Sequence, residues 1–363
     1  MLANLTARLV SLDSVNPTLA GAGSGEEAVA REIASWLERA GLEVHVDEVA
    51  PGRPNVVGVA RGRGGGRSLM LNGHTDTVGL LEPDGALAAR VEDGRLYGRG
   101  AYDMKGSLAA VLAAAAECAS LGLRGDVVVS AVVDEEAASI GTERLLERWR
   151  PEAAIVAEPT DERICVAHRG WIAFDVETRG RAAHGSRPDL GIDAIAKMGP
   201  VLVAIEELDR RLQAGRSHSL VGTGSVHASV IAGGQEYSSY PASCVLQGER
   251  RTIPGESRAN VEEELRALLG DADGTVAFPF GREPMEVDDD EELVRVLQAR
   301  TGADELFGAP FWTDAGLFVE AGIPAVLYGP KGDGAHAAVE WVDLASLERC
   351  RDVYVGVARD FCG

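Results

Sequence analysis

The 363-residue chain is poor in positive charge: Lys and Arg total 35 against 57 Asp and Glu, for a formal net charge of -22. Nucleic acid and anionic membrane surfaces both call for clustered Lys and Arg, so neither is an expected partner. No apolar run reaches the roughly 20 residues a membrane-spanning helix needs. The opening residues, Met1-Leu2-Ala3-Asn4-Leu5-Thr6-Ala7-Arg8, lack the basic region and apolar core of a secretory signal, and the expected location is cytoplasmic. Cysteine is scarce and scattered: Cys118, Cys165, Cys244, Cys350 and Cys362 are odd in number and form no Cys-x-x-Cys pair, which fits small buried hydrophobes rather than a disulfide framework. There is no Gly-x-Ser-x-Gly elbow between a strand and a helix, which removes a serine hydrolase. Internal repeats, heptads and low-complexity tracts are lacking too.

What is present suffices for two cores. Hydrophobic residues make up 45% of a chain longer than one core usually grows, so two domains are expected. Ser24-Gly25-Glu26-Glu27 reads as a capping box opening an amphipathic helix that runs to Ala40 and stops at Gly41. Apolar strands at Asn55 to Ala60 and Ser68 to Leu71 flank the Gly-rich Arg61 to Gly66, which reads as a hairpin-like turn. The Ala-rich run Ser107 to Ser120 predicts a helix that packs closely on a sheet. Asp126 to Val133 and Ala153 to Ala157 read as buried strands, each ending in carboxylates. From about Trp171 the order becomes β-α-β-β-α-β, a ferredoxin-like unit long enough to be an inserted domain. From about Glu283 the chain returns to helices and one apolar strand, Ala325 to Tyr328, which should complete the first sheet.

The chemistry gathers at strand ends, where open α/β sheets bind ligands. His74 and Asp76 stand two residues apart after an apolar run, so a neutral imidazole can face a metal while the carboxylate fixes its tautomer. Together with Asp103, Glu136, Glu158 and His336 this gives a mixed nitrogen and oxygen set suited to zinc, cobalt or manganese, with zinc the default. If one carboxylate bridges, two ions can sit about 3.5 to 4 Å apart. Glu135, beside Glu136 and not needed as a ligand, is then free to take a proton from water.

Gly73 to Val78, Gly98 to Gly106, Asp134-Glu135-Glu136, Ala157-Glu158-Pro159-Thr160, Phe311 to Gly316 and Gly334-Ala335-His336 resemble, in family order, the motifs of the M20 metallopeptidases. That family includes acetylornithine deacetylase, succinyl-diaminopimelate desuccinylase, glutamate carboxypeptidase and aminoacylase. The resemblance implies an α/β chain in two domains: a zinc-peptidase-like mixed-sheet catalytic domain from residues 1–170 and 283–363, and an inserted ferredoxin-like (βαββαβ) lid and dimerisation domain from 171–282. It also implies two divalent ions, most simply Zn2+ with Co2+ or Mn2+ possible, bridged by Asp103. His74 and Glu158 complete one site and Glu136 and His336 the other. Asp76 orients His74, and Glu135 is the general base.

In the lid, Arg181 to Pro188 resembles the segment whose histidine, here His184, approaches the substrate, in many dimers from the other subunit. Arg251 matches an arginine that binds the substrate carboxylate, with Arg250 expected on the opposite strand face. The chain departs from the family at Gln235 to Pro241, where many relatives carry an asparagine near Ser238. His168, His218 and His227 are read as structural. The implied reaction is hydrolysis of an N-acyl amino acid by a homodimer. Its rivals are a carboxypeptidase or dipeptidase acting on short peptides at the same site, and a catalytically silent binding protein, against which the retention of Glu135 speaks.

Overall fold

The computed structural model describes residues 2–21, 23–81 and 85–363. The chain divides into two compact units: Met1–Val166 with Val287–Phe307 and Thr313–Gly363, and Ala167–Glu286 with Gly308–Trp312.

The first unit is built on a mixed sheet whose strands run, side by side, Glu43–Ala50, Arg53–Ala60, Val127–Val132, Leu69–His74, Ala153–Val156 and Ala325–Leu327. The last four are mutually parallel and the first two antiparallel. Leu69–His74, Val127–Val132 and Ala153–Val156 are buried along their whole length, as strands covered on both faces must be, which explains their unbroken apolar character. Parallel strands share one C-terminal edge, so the residues following Val132 and Val156 emerge beside His74. The Ala-rich helix Gly106–Cys118 packs against the C-terminal helix Leu344–Cys362.

Two local expectations are corrected and one strand is added. Arg53–Ala60 and Leu69–His74 are not a hairpin, because Val127–Val132 inserts between them and pairs with both. Glu43–Ala50 is an additional, largely exposed edge strand whose mixed polar sequence hid it. The helix Glu27–Arg39 does form, yet without the capping box. The Ser24 hydroxyl donates instead to Asp13 at 2.7 Å, and Glu27, the other member of the box, pairs with Arg31, while the neighbouring Glu26 carboxylate turns inward to Arg53.

In the second unit four antiparallel strands lie in the order Ser225–Gly233, Ser243–Thr252, Gly170–Arg179 and Gly274–Arg282. This is the order of a ferredoxin-like unit, with the helices Ala194–Ala214 and Arg258–Arg266 supplying the crossovers. The first helix begins at Ala194, where the Asp193 side chain accepts from the Ala196 amide, and it continues through Pro200. Phe174, Val176, Met198, Ile205, Leu246 and Leu265 form the core between sheet and helices. All five cysteines are buried and free of disulfides.

Candidate metal centre

His74 is the last residue of its strand and is 1% exposed. Its Nε2 lies 3.1 Å from Asp103 Oδ1 and 3.9 Å from Glu158 Oε1. Asp103 belongs to a single irregular turn, Ala101–Lys105, ahead of the Ala-rich helix, and Glu158 follows the strand Ala153–Val156 two residues on. On the other side of Asp103, His336 Nε2 is 3.4 Å from Asp103 Oδ2 and 3.0 Å from Glu136 Oε2. Two groups of potential ligands therefore form, His74, Asp103, Glu158 and Asp103, Glu136, His336, with the atoms of each within 4.8 Å of one another and Asp103 common to both.

These residues fit a pair of cations on observations independent of any motif. Glu136 Oε1 and Glu158 Oε1 are buried yet accept no hydrogen bond. Such oxygens are costly unless something positive meets them. Burial pushes Glu158 well above the usual carboxylate range and Glu136 upward, with Asp103 adding repulsion to each. A donor set of two imidazoles and three carboxylates suits divalent zinc, cobalt or manganese.

Asp76 is fully buried, but its carboxylate is not the nearest partner of His74. His74 Nδ1 lies 3.0 Å from the Asp76 carbonyl and 3.5 Å from its carboxylate. The carbonyl therefore fixes Nδ1 as the protonated nitrogen and leaves Nε2 for a ligand. The Asp76 carboxylate mainly collects donors from its surroundings: the amides of Glu135 at 3.1 Å and Glu136 at 3.2 Å, and Asn16 Nδ2 at 2.8 Å. Burial opposes its charge, and the bonds from His74 and Asn16 together with the Glu136 amide keep its pKa low. Asn16 also donates to Asp134 at 3.1 Å, and Asp134 meets Arg53 Nη2 at 2.8 Å. The segment carrying Glu135 and Glu136 is thus pinned from below by a buried Glu26, Arg53, Asp134, Asn16, Asp76 chain. Sequence reading missed Asn16 and Arg53, which carry no motif signal.

Glu135 is half-buried, and burial, then the Glu158 carboxylate, pushes its carboxyl well above the ordinary range. Asp314, from the Phe311 to Gly316 stretch, is also buried. Its Oδ2 accepts from Thr142 Oγ1 at 2.6 Å, Oδ1 takes no hydrogen bond, and burial pushes it up to about 6.

His184 and Arg251 belong to the second unit. His184 is in an exposed segment, with Nδ1 2.8 Å from the Ser186 hydroxyl. Arg250 faces the core, buried and paired with Glu256 at 2.6 Å and Glu264 at 3.2 Å. Arg251 points to the other face, pairs with Glu249 and lies 5.9 Å from the centre of the Trp171 ring. His218 bonds Glu286 at 2.8 Å and accepts the Leu220 amide, a structural pattern.

The comparisons with known proteins agree on a family and a fold. The profile of Peptidase family M20/M25/M40 matches residues 70–360. An acetylornithine deacetylase from Myxococcus xanthus is 33% identical over 350 residues, covering 90% of each chain. Among solved structures, aminopeptidase PepT from Bacillus cereus superposes with a TM-score of 0.81 at 18% identity, covering 100% of this chain and 98% of that one. A dinuclear metal binding peptidase of family M20 from Bacillus subtilis gives a TM-score of 0.75 at 17% identity, covering 99% and 97%. No helix among the described residues is long and apolar enough to cross a membrane. On this evidence the chain belongs to Peptidase family M20/M25/M40 and is a hydrolase of amide bonds.

Proposed function

We propose that this protein is a cytoplasmic, dinuclear metal-dependent deacylase that releases the amine from an N-acyl amino acid. The observation that carries the reading is Asp103, whose two carboxylate oxygens face two separate ligand groups. His74 and Glu158 would hold one ion and Glu136 and His336 the other, with zinc the default and cobalt or manganese as alternatives. When bound, such ions polarise the scissile carbonyl and lower the pKa of water from about 15.7 towards about 7. Glu135 takes the proton from the attacking water and passes it to the leaving amine.

His184, exposed on the second unit, is assigned to the developing oxyanion, and Arg251 to the substrate carboxylate. Arg251 is half-buried over Trp171 and held by Glu249 in a fixed orientation. A homodimer through the second unit is supported by its apolar outer edge, where Val230 and Ile231 are 54% and 51% exposed on the strand and Val203 55% exposed on the helix. Buried cysteines that form no disulfide suit a reducing compartment.

The test is amine release from N-acetyl, N-succinyl and N-aminoacyl amino acids by metal-free protein, with and without added Zn2+ or Co2+. Metal-dependent release from the acetyl or succinyl series is expected. Release from the aminoacyl series alone would make the protein a dipeptidase. Esterifying the substrate carboxylate should remove most of kcat/KM, and equal rates on acid and ester would take Arg251 out of the site.

A further inference from the structure

We propose that Glu340 is the positioning residue of the second metal-binding triad: its buried carboxylate binds the backbone leading to Asp103 to the loop carrying His336, and so fixes these two side chains relative to each other. The inference rests on the dinuclear reading above.

Glu340 is 4% exposed. Its Oε1 accepts from the amides of Tyr102 at 2.8 Å and Asp103 at 3.0 Å, and its Oε2 from the amide of Gly100 at 2.9 Å and Arg99 Nη1 at 2.7 Å. A carboxylate offers about four lone-pair positions, so both oxygens are filled and neither is left for a cation. Glu136 and Glu158 differ in this respect, because each keeps a buried oxygen without a donor. The contrast separates a carboxylate that shapes the backbone from those placed to ligate.

The same contacts reach the histidine. Arg99 uses Nη1 on Glu340 and Nη2 on the carbonyl of Ala337, at 2.8 Å, the residue after His336. The Gly98 amide donates to the Glu340 carbonyl at 3.0 Å. His336 needs this support, since it is mostly exposed and has a backbone φ of +61°. Two residues earlier Gly334 has φ +86°, and a Cβ there would stand 1.9 Å from the Val339 carbonyl. Glu136 is held separately by Asp76, and His74 by its strand pairing. A defect at Glu340 should therefore fall most heavily on the ion between Asp103, Glu136 and His336, where two ligands lose support, and less on the ion at His74, where only Asp103 does.

The experiment is a metal titration of metal-free wild type, E340Q and R99M with Co2+, read by calorimetry and by the cobalt absorption bands, alongside the thermal melt of each metal-free protein. Gln at 340 turns one acceptor into a donor facing N–H groups. R99M keeps the three amide bonds to Glu340 and removes its guanidinium partner together with the tie to Ala337 in the His336 loop, so it serves if E340Q fails to fold. The wild type is expected to take two equivalents. Each folded variant is expected to keep the first equivalent and to bind the second about 10- to 100-fold more weakly. Two equivalents at wild-type affinity in the variants, or equal weakening of both, overturns the proposal while leaving the dinuclear reading intact. A wild type that binds only one ion overturns both.

Discussion

His74 and His336 stand in corresponding places on either side of Asp103, yet one is 1% and the other 56% exposed at the side chain. His74 closes a strand that pairs on both sides, with Glu158 emerging from the adjacent parallel strand. Its position is set by the backbone ladder of the sheet. His336 lies in a loop with left-handed backbone, near the end of the chain. One triad is therefore fixed by the sheet that the core requires anyway, and the other depends on polar contacts made for that purpose. The same chemistry can be built on either support, but removing a ligand should cost different things.

Asp103→Ala gives the largest effect, because Asp103 is the one residue common to both groups. Loss of both metal equivalents by elemental analysis and activity at background are expected; retention of a tight equivalent would show that the halves are independent. Glu135→Gln should lower kcat by about 10²- to 10⁴-fold with both equivalents still bound. Loss of metal in that variant would mean that Glu135 and Glu136 had been given each other's roles.

His74→Ala and His336→Ala compare the supports directly. Each should lose one equivalent. His74→Ala should also destabilise the metal-free fold by roughly 1–3 kcal/mol, since it vacates a buried site beside Asp103 and Glu158, whereas His336→Ala should leave the metal-free melting temperature nearly unchanged. Equal melting temperatures for the two variants would remove the distinction between strand-borne and loop-borne ligands. The smallest effect belongs to Asp76→Asn, which keeps the carbonyl that orients His74 while weakening the pin on Glu135 and Glu136. About a 10-fold loss of metal affinity is expected, and calorimetry would show whether it falls on the Glu136 ion, as the hydrogen bonds to the Glu135 and Glu136 amides require.

The thiols offer a further check on burial. Burial pushes Cys118 and Cys362 up to about 12, so neither should react with an alkylating reagent at pH 8 until the chain unfolds.

Sequence alone brought out the strand-end residues because a run of apolar residues closing on His74, Glu135, Glu136 or Glu158 is a local pattern with a physical cause. The second unit was legible for the same reason: Trp171 to Thr178 alternates, and the helices that follow are separated by clear breaks. Glu43–Ala50 was hidden, because an exposed edge strand need not carry an apolar pattern. The Ser24 to Glu27 box misled, because local spacing cannot report that the Ser24 hydroxyl turns to Asp13, 11 residues earlier, and that the helix starts only at Glu27.

Composition, periodicity and motif spacing thus determined most of the helices and strands and the residue types able to hold cations, since each of these is written over a few neighbouring residues. Only the tertiary structure decided that Val127–Val132 separates the supposed hairpin strands, that the Asp76 carbonyl stands nearer to His74 than its carboxylate does, and that Glu340 meets the amides leading up to and including that of Asp103. Those outcomes depend on partners up to 241 residues apart competing for the same buried donors and acceptors, and no local pattern records which of them wins.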